Sequence, residues 1–264
     1  MKRLFLLCLA LCASVAFARE PSVEQQNKIM FYGHDDRVII HTPFTGPYAA
    51  IGVMRTQNGY DCTATLITPD TALTAAHCFW MAGKNRDHAK WFKTAYDNGR
   101  YTAHYRVLTQ TFNQRFQQGL DRRKDGVYID SGARPYDIAV LKVELVDGTP
   151  PTPMPAFKGN RQQLQQLLKT AGYKVSQAGY PEDLEDVLAA HRGCKITALS
   201  PDNTVFHQCD TLEGDSGAPV WIDTANGPLL IAVQSSAPPY QMRKQVDNIA
   251  VTVLQRPEAP SPQR

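Results

Sequence analysis

The chain has 264 residues, with 28 Lys and Arg against 25 Asp and Glu, a formal net charge of +3, and 43% hydrophobic residues. A balance this close to neutral gives no electrostatic case for binding nucleic acid or an anionic membrane surface. The length suits one large domain or a tightly fused pair.

Lys2 and Arg3 precede an apolar run from Leu4 to Ala16, and Ala16-Phe17-Ala18 has the small-x-small form of a cleavage site. Residues 1–18 are therefore expected to be a secretory signal peptide: the run is too short to span a bilayer comfortably, and Arg19 would begin the exported chain. Losing Lys2 and Arg3 takes the formal charge from +3 to +1. No second long apolar stretch follows, so the mature chain is expected to be secreted, extracellular or periplasmic, with no membrane attachment. Residues 19–37 are polar and poor in strand signals, which suits a propeptide or an N-terminal arm.

From Val38 the pattern becomes β. Ala49 to Thr56 is a short apolar run, Asn58-Gly59 is a hairpin turn signal, and Cys62 to Ile67 and Ala72 to Ala75 are strands separated by the turn at Pro69-Asp70. Further strands are predicted at 101–109, 138–146, 173–179, 194–199, 204–209, 218–222, 229–234 and 248–254. Short strands broken by Gly, Pro, Asn and Asp suit β-barrels or a sandwich. One stretch reads as helix: Asn160 can cap Arg161 to Thr170, with Leu164, Leu167 and Leu168 on one face. Thr149 to Pro155 holds four prolines and is a natural connector between halves at 38–148 and 156–255. Residues 115–125, rich in Arg and Lys, read as a solvated surface loop. The proline-rich tail, 256–264, reads as disordered.

Cys8 and Cys12 would leave with the signal peptide. Cys62, Cys78, Cys194 and Cys209 remain, an even number in an oxidising compartment. Four cysteines allow three pairings, and the order favours Cys62–Cys78 and Cys194–Cys209, each closing a short loop. Without a C-x-x-C pair there is little case for a metal.

Serine attack on an amide requires a hydroxyl activated by a base, a buried carboxylate that holds the base, and preorganised donors for the oxyanion. Gly214-Asp215-Ser216-Gly217 is a candidate nucleophile loop, with glycines that permit a tight turn and with the Gly214 and Ser216 N–H groups as oxyanion donors. Thr74-Ala75-Ala76-His77-Cys78 offers the base. Tyr136-Asp137-Ile138-Ala139-Val140 puts an acid at the mouth of an apolar strand. Each segment is weak evidence alone. Together, in the order His, Asp, Ser and separated by 60 and then 79 positions, they are specific.

These three blocks resemble the signatures of the trypsin and chymotrypsin family. Gly33-His34-Asp35-Asp36-Arg37, Thr42, Pro47 to Ile51, Gly179-Tyr180-Pro181 and Asp210-Thr211 are similar to the bacterial glutamyl endopeptidase, or V8-like, branch. The likeness runs from about residue 33 to about 235, with a poor match from 82 to 134. It implies an all-β fold of two antiparallel six-stranded barrels with the active site between them. It also implies a serine endopeptidase that cuts polypeptides through an acyl-enzyme, with no cofactor and no metal. Carried over, His77 is general base and acid, Asp137 orients it, and Ser216 is the nucleophile. Activity is then expected to rise through roughly pH 6–7 as His77 loses its proton.

Specificity residues are Asp210, Thr211 and Gln234, and they point in different directions. An acid at Asp210 resembles the trypsin branch, which selects Arg or Lys, whereas Asp-Thr resembles the glutamyl branch. That branch also has a histidine where Gln234 stands, and Ser235-Ser236-Ala237 departs from its usual Trp-Gly pair. Asp215 again resembles the trypsin branch, in which this acid pairs with a freed N-terminal amine. Lys28-Ile29 and Arg37-Val38 are the candidate bonds for such a zymogen cut. The final helix of animal relatives is expected to be missing or very short. Two other readings stand beside the active enzyme. A catalytically inactive homologue acting as a binding protein is disfavoured by the intact triad, and a protease-chaperone by the short stretch after Leu254.

Overall fold

The computed structural model describes Ser22, Glu24 and residues 31–258, apart from 82, 84, 125, 185, 239–241, 243 and 244. The signal-peptide reading, the Lys28–Ile29 bond and the last residues of the tail lie outside the described residues. In chain order, β1 is Val38–Ile39, β2 Ile51–Thr56, β3 Asp61–Thr68, β4 Thr71–Thr74, β5 Ala89–Thr94 and β6 Ala103–Phe112. Helix α1, Gln114–Gln118, and a hairpin of β7, Leu120–Arg122, and β8, Val127–Ile129, precede β9, Ala139–Gly148. After the proline connector come α2, Arg161–Thr170, β10, Lys174–Gly179, β11, Ala189–Leu199, β12, Thr204–His207, β13, Pro219–Thr224, β14, Gly227–Ser236, and β15, Asn248–Thr252.

Two antiparallel barrels result. The first closes in the order β2-β3-β4-β9-β6-β5. The second closes through β11-β10-β13-β14-β15-β12, because β12 pairs back onto β11. β1 precedes the first barrel in sequence but pairs with the second, Val38 opposite Ala190 and Ile39 opposite Ala189. The N-terminal boundary drawn at residue 38 therefore cuts across the structure: the first barrel proper begins at β2.

Strands at the inter-barrel face lose the usual in–out alternation. In β3, five consecutive residues from Cys62 to Leu66 are buried. One face fills the barrel and the other meets the second barrel, so both must shed water. One apolar cluster accordingly joins Ile51, Leu66, Phe92 and Leu141 of the first barrel to Trp221, Leu230 and Val251 of the second. A second cluster fills the other barrel, where Leu164 and Leu168 of α2 cover Val175, Ile196, Val205 and Ile231. Burying side chains of this size stabilises by roughly 1.5–3 kcal/mol each. Helix α2 starts where expected: the Asn160 side chain accepts from Gln163 N–H at 3.0 Å and the Gln163 side chain accepts from Asn160 N–H at 2.8 Å, a reciprocal cap.

Both disulfides follow the favoured pairing, Cys62–Cys78 and Cys194–Cys209. Among the described residues after β15 the chain makes a single 3-10 turn, Val253–Gln255. Among the described residues no helix is long and apolar enough to cross a membrane.

Residues 115–125 differ from the solvated loop expected of them. Asn113 caps α1 by accepting from Arg115 N–H, Phe116 is fully buried, and β7 pairs with β8 in a small sheet of its own. Gly119 joins helix to hairpin where a Cβ would stand 2.4 Å from that of Ala133.

Candidate active site

The 3-10 turn Ala76–Phe79 follows β4 directly and carries His77, while Cys78 beside it is tied to β3 through Cys62. Asp137 ends the short turn Arg134–Tyr136 just before β9. β4 and β9 are paired, Thr74 opposite Ala139, so base and acid leave neighbouring strand ends. Asp137 is almost fully buried and accepts three hydrogen bonds: from His77 N–H at 2.7 Å, from His77 Nδ1 at 2.7 Å, and from Ser235 Oγ at 2.7 Å. His77 Nε2 lies 2.8 Å from Ser216 Oγ. Imidazole roles follow from these partners: Nδ1 carries the proton given to the carboxylate, and Nε2 accepts from the serine.

Electrostatics reinforce that assignment. Burial pulls the His77 pKa down, but the facing Asp137 charge and its hydrogen bond outweigh burial, and the net direction is upward. Burial raises the Asp137 pKa, yet the His77 charge and the donors around the carboxylate bring it below its ordinary value.

Ser216 sits in a loop that glycines alone permit. Gly214 has φ +89° and Gly217 φ +84°, and a Cβ on Gly217 would stand 2.3 Å from the Thr63 carbonyl. Thr63 of the first barrel grips this loop of the second. Its N–H donates to Ser216 O at 2.9 Å and its hydroxyl donates to Gly214 O at 3.0 Å, while Tyr180 N–H donates to the same hydroxyl. Among the described residues neither Gly214 N–H nor Ser216 N–H has an acceptor, so both remain for a ligand oxygen. Nothing local in the sequence marks Thr63 or Ser235 as part of this arrangement, beyond Ser235 opening a segment that departs from the family pattern.

The residues expected to set specificity are all buried and all engaged. Asp210 accepts from Tyr32 N–H at 2.9 Å and Asp36 N–H at 2.8 Å, so residues 32–36 of the N-terminal arm are pinned on its two oxygens. The arm is further fixed by Asn248 N–H donating to Tyr32 Oη and by Arg37 paired with Asp35 and Asp183. Thr211 gives its hydroxyl proton to Asp215 at 3.0 Å and accepts from Gln177. Gln234 Oε1 accepts from His207 Nε2 at 2.7 Å, and burial pushes the His207 pKa down to about 4, which keeps that imidazole neutral. The two carboxylate oxygens of Asp210 therefore face the arm, and His191 Nδ1 lies 3.1 Å from Oδ2. Asp36, His191 and Asp210 each offer a ligand atom within 4.8 Å of the others. Asp210 N–H donates to that same His191 Nδ1 at 3.0 Å.

Asp215 is buried between Thr211 Oγ1 and Leu212 N–H, both donating to Oδ2, with Arg37 as a more distant favourable charge. Burial pushes its pKa up to about 7. At the Arg37–Val38 bond the Arg37 side chain is 5% exposed, while Val38 pairs in the β-sheet and is 60% exposed.

A family model described as "Trypsin-like peptidase domain" matches residues 62–230. Three solved structures share the double-barrel fold. A Glu endopeptidase in complex with MPD is 18% identical at a TM-score of 0.59, covering 84% of this chain and 94% of that one. Protease Anisep from Arthrobacter nicotinovorans is 18% identical at 0.54, covering 79% and 91%. The thermostable serine protease AL20 from an extremophilic microorganism is 19% identical at 0.52, covering 78% and 90%.

Proposed function

The chain belongs to the trypsin-like peptidase family and is a serine endopeptidase, and from that premise we propose that His77, Asp137 and Ser216 are its catalytic triad. The Gly214 and Ser216 N–H groups are the oxyanion hole. The observation that carries this reading is the continuous hydrogen-bond chain from Ser216 Oγ through His77 to a buried Asp137 that Ser235 also holds. Ser216 Oγ attacks the scissile carbonyl while its proton passes to His77 Nε2. The oxyanion is held by the two backbone donors, His77 returns the proton to the departing amine, and an acyl-enzyme remains. Water then adds to the acyl carbon as His77 takes its proton, and that proton returns to Ser216 when the acid leaves. A fluorophosphonate probe should label Ser216, with labelling lost in Ser216→Ala. Unlabelled, correctly processed protein would overturn the reading and favour an inactive binding homologue.

The acid limb of the pH profile follows from His77, which must be neutral to act as base. Because Asp137 outweighs burial, the midpoint of kcat/KM against pH should lie above the ordinary imidazole value rather than at it. A midpoint below that value would contradict the arrangement.

Polypeptides are the substrate class. Of the specificity candidates Asp210, Thr211 and Gln234, Asp210 acts as an anchor for the arm rather than as a reader of Arg or Lys. Asp210→Asn should therefore lower stability by about 1–3 kcal/mol, the loss of a buried charged acceptor, without changing which residue precedes the cleaved bond. Thermal melts and cleavage-site profiling on a peptide library check both halves, and a profile that loses basic residues at that place would restore the trypsin-like reading. Export by residues 1–18 and action outside the cytoplasm fit the two disulfides. A zymogen cut at Lys28–Ile29 would free an amine able to pair with the buried Asp215.

A further inference from the structure

Away from the triad, one group of titratable side chains is drawn together from three distant parts of the chain. Asp36 lies on the N-terminal arm, His191 on β11, and Asp210 between β12 and the nucleophile loop, and each offers a ligand atom within 4.8 Å of the other two. The group is rich in lone pairs. His191 Nδ1 accepts from Asp210 N–H at 3.0 Å, and a ring nitrogen that accepts carries no proton of its own. The same atom stands 3.1 Å from Asp210 Oδ2, so two lone pairs face each other, and the Asp36 carboxylate adds a second negative charge beside them. Arg37, next to Asp36 in the chain, is committed elsewhere, to Asp35 and Asp183. Gln177 sits opposite His191 in the β10–β11 register and is 2% exposed. Its Nε2 donates to Thr211, the neighbour of Asp210, and its Oε1 is buried without a partner among the described residues.

We propose that Asp36, His191 and Asp210 bind a first-row divalent ion of the Zn²⁺ type, which clamps the N-terminal arm to the second barrel. The site is independent of the triad. A cation supplies what the group lacks, a positive charge shared by two carboxylates and an unprotonated imidazole. The spacing agrees: ligands about 2.0–2.1 Å from a tetrahedral ion lie about 3.3 Å apart, close to the 3.1 Å between His191 Nδ1 and Asp210 Oδ2. The imidazole selects such an ion over Ca²⁺ or Mg²⁺, which take oxygen ligands. Ligation through Nδ1 exchanges one neutral hydrogen bond, that from Asp210 N–H, for a metal bond. A fourth position remains for water or for the exposed His34, whose Nε2 lies 2.7 Å from Asp36 Oδ1. The Tyr32 and Asp36 N–H groups already hold the arm to Asp210, and the ion ties the same segment by a side chain as well, so attachment of the arm becomes metal-dependent.

The test is calorimetric titration of metal-stripped Ser216→Ala protein with Zn²⁺, beside hydrogen exchange of the Tyr32 and Asp36 amides, which exchange when the arm lifts. At free Zn²⁺ about a hundred times Kd, that exchange should slow by about a hundredfold. Asp36→Asn keeps the backbone bond to Asp210, and His191→Asn still presents an acceptor to Asp210 N–H, so each removes a ligand while sparing the hydrogen bonds around it. Each should lower Zn²⁺ affinity by about tenfold or more and abolish the slowing. Asp36 is exposed, so its variant decides the matter even where the less accessible His191 variant fails to fold. Zn²⁺ that does not bind, that binds undiminished in Asp36→Asn, or that protects the two amides no better than Ca²⁺ does overturns the proposal.

Discussion

Ser216→Ala is expected to lower peptide hydrolysis by about three to six orders of magnitude while leaving the melting temperature nearly unchanged. The substitution removes one oxygen from a loop whose shape is set by Gly214, Gly217 and Thr63, not by the serine hydroxyl. His77→Ala should fall in the same range, because the nucleophile and its base act as one unit. The double variant should be hardly worse than either alone. Asp137→Asn should lose about four orders, since an amide facing Nδ1 favours the wrong tautomer and leaves the charged imidazole unsupported. Ser235→Ala removes one of three donors to Asp137 and should lose about tenfold, as a positioning effect. The measurement is kcat/KM on a peptide substrate beside a thermal melt. A Ser216→Ala protein within tenfold of wild type would end the assignment.

The second large effect concerns Asp215. Burial lifts its pKa from the ordinary carboxylate value of 3.8 to about 7, so ionisation opposes the fold. The group is protonated and unpenalised below about pH 4, and stability falls as pH rises from there through 7, where the carboxyl ionises even when folded. In the Ser216→Ala background, which prevents self-cleavage, Asp215→Asn should therefore be more stable than its parent at pH 8. The gain is a few kcal/mol at most and disappears near pH 4. Urea unfolding at the two pH values reads it directly. Maturation reverses the sign. If the active enzyme begins at Ile29 and its amine meets Asp215, the substitution destabilises the mature chain and reduces its activity. N-terminal sequencing of active protein decides which chain is being measured, and full activity in a chain starting at Arg19 overturns the zymogen reading.

The parts of the fold legible in the sequence were those whose physics is local. The α2 cap needs only Asn160 and Gln163, three positions apart, and its boundaries came out as expected. The nucleophile loop announces itself because two glycines with left-handed backbone must flank Ser216. The cysteine order gave both disulfides. What stayed hidden depends on distant partners. Thr63 looks like any strand threonine until Ser216 and Gly214 arrive from more than 150 positions away. Asp210 looked like a charge waiting for a substrate because the amides that satisfy it, on Tyr32 and Asp36, lie more than 170 positions upstream. The hairpin from Leu120 to Ile129 overlaps residues 115–125, which read as a loop because Arg122, Arg123 and Lys124 fall together there. Its apolar residues are too few to show a period, and the pairing of β7 with β8 is what places them. β1 has two residues, and nothing in Val38–Ile39 tells which barrel it will join.

The Thr63 contact has a consequence for how the enzyme fails. His77 and Asp137 ride on the first barrel and Ser216 on the second, so neither barrel alone holds the proposed triad. Thr63 is next to Cys62, and Cys62 is bonded to Cys78, which is next to His77. The same short piece of β3 therefore registers the position of the base covalently and that of the nucleophile through two hydrogen bonds. Turnover then serves as a gauge of barrel docking. A perturbation that slides one barrel against the other by an ångström breaks the 2.8 Å link between His77 and Ser216 while both barrels stay folded. Inactivation in mild denaturant should consequently run ahead of any loss of β-structure.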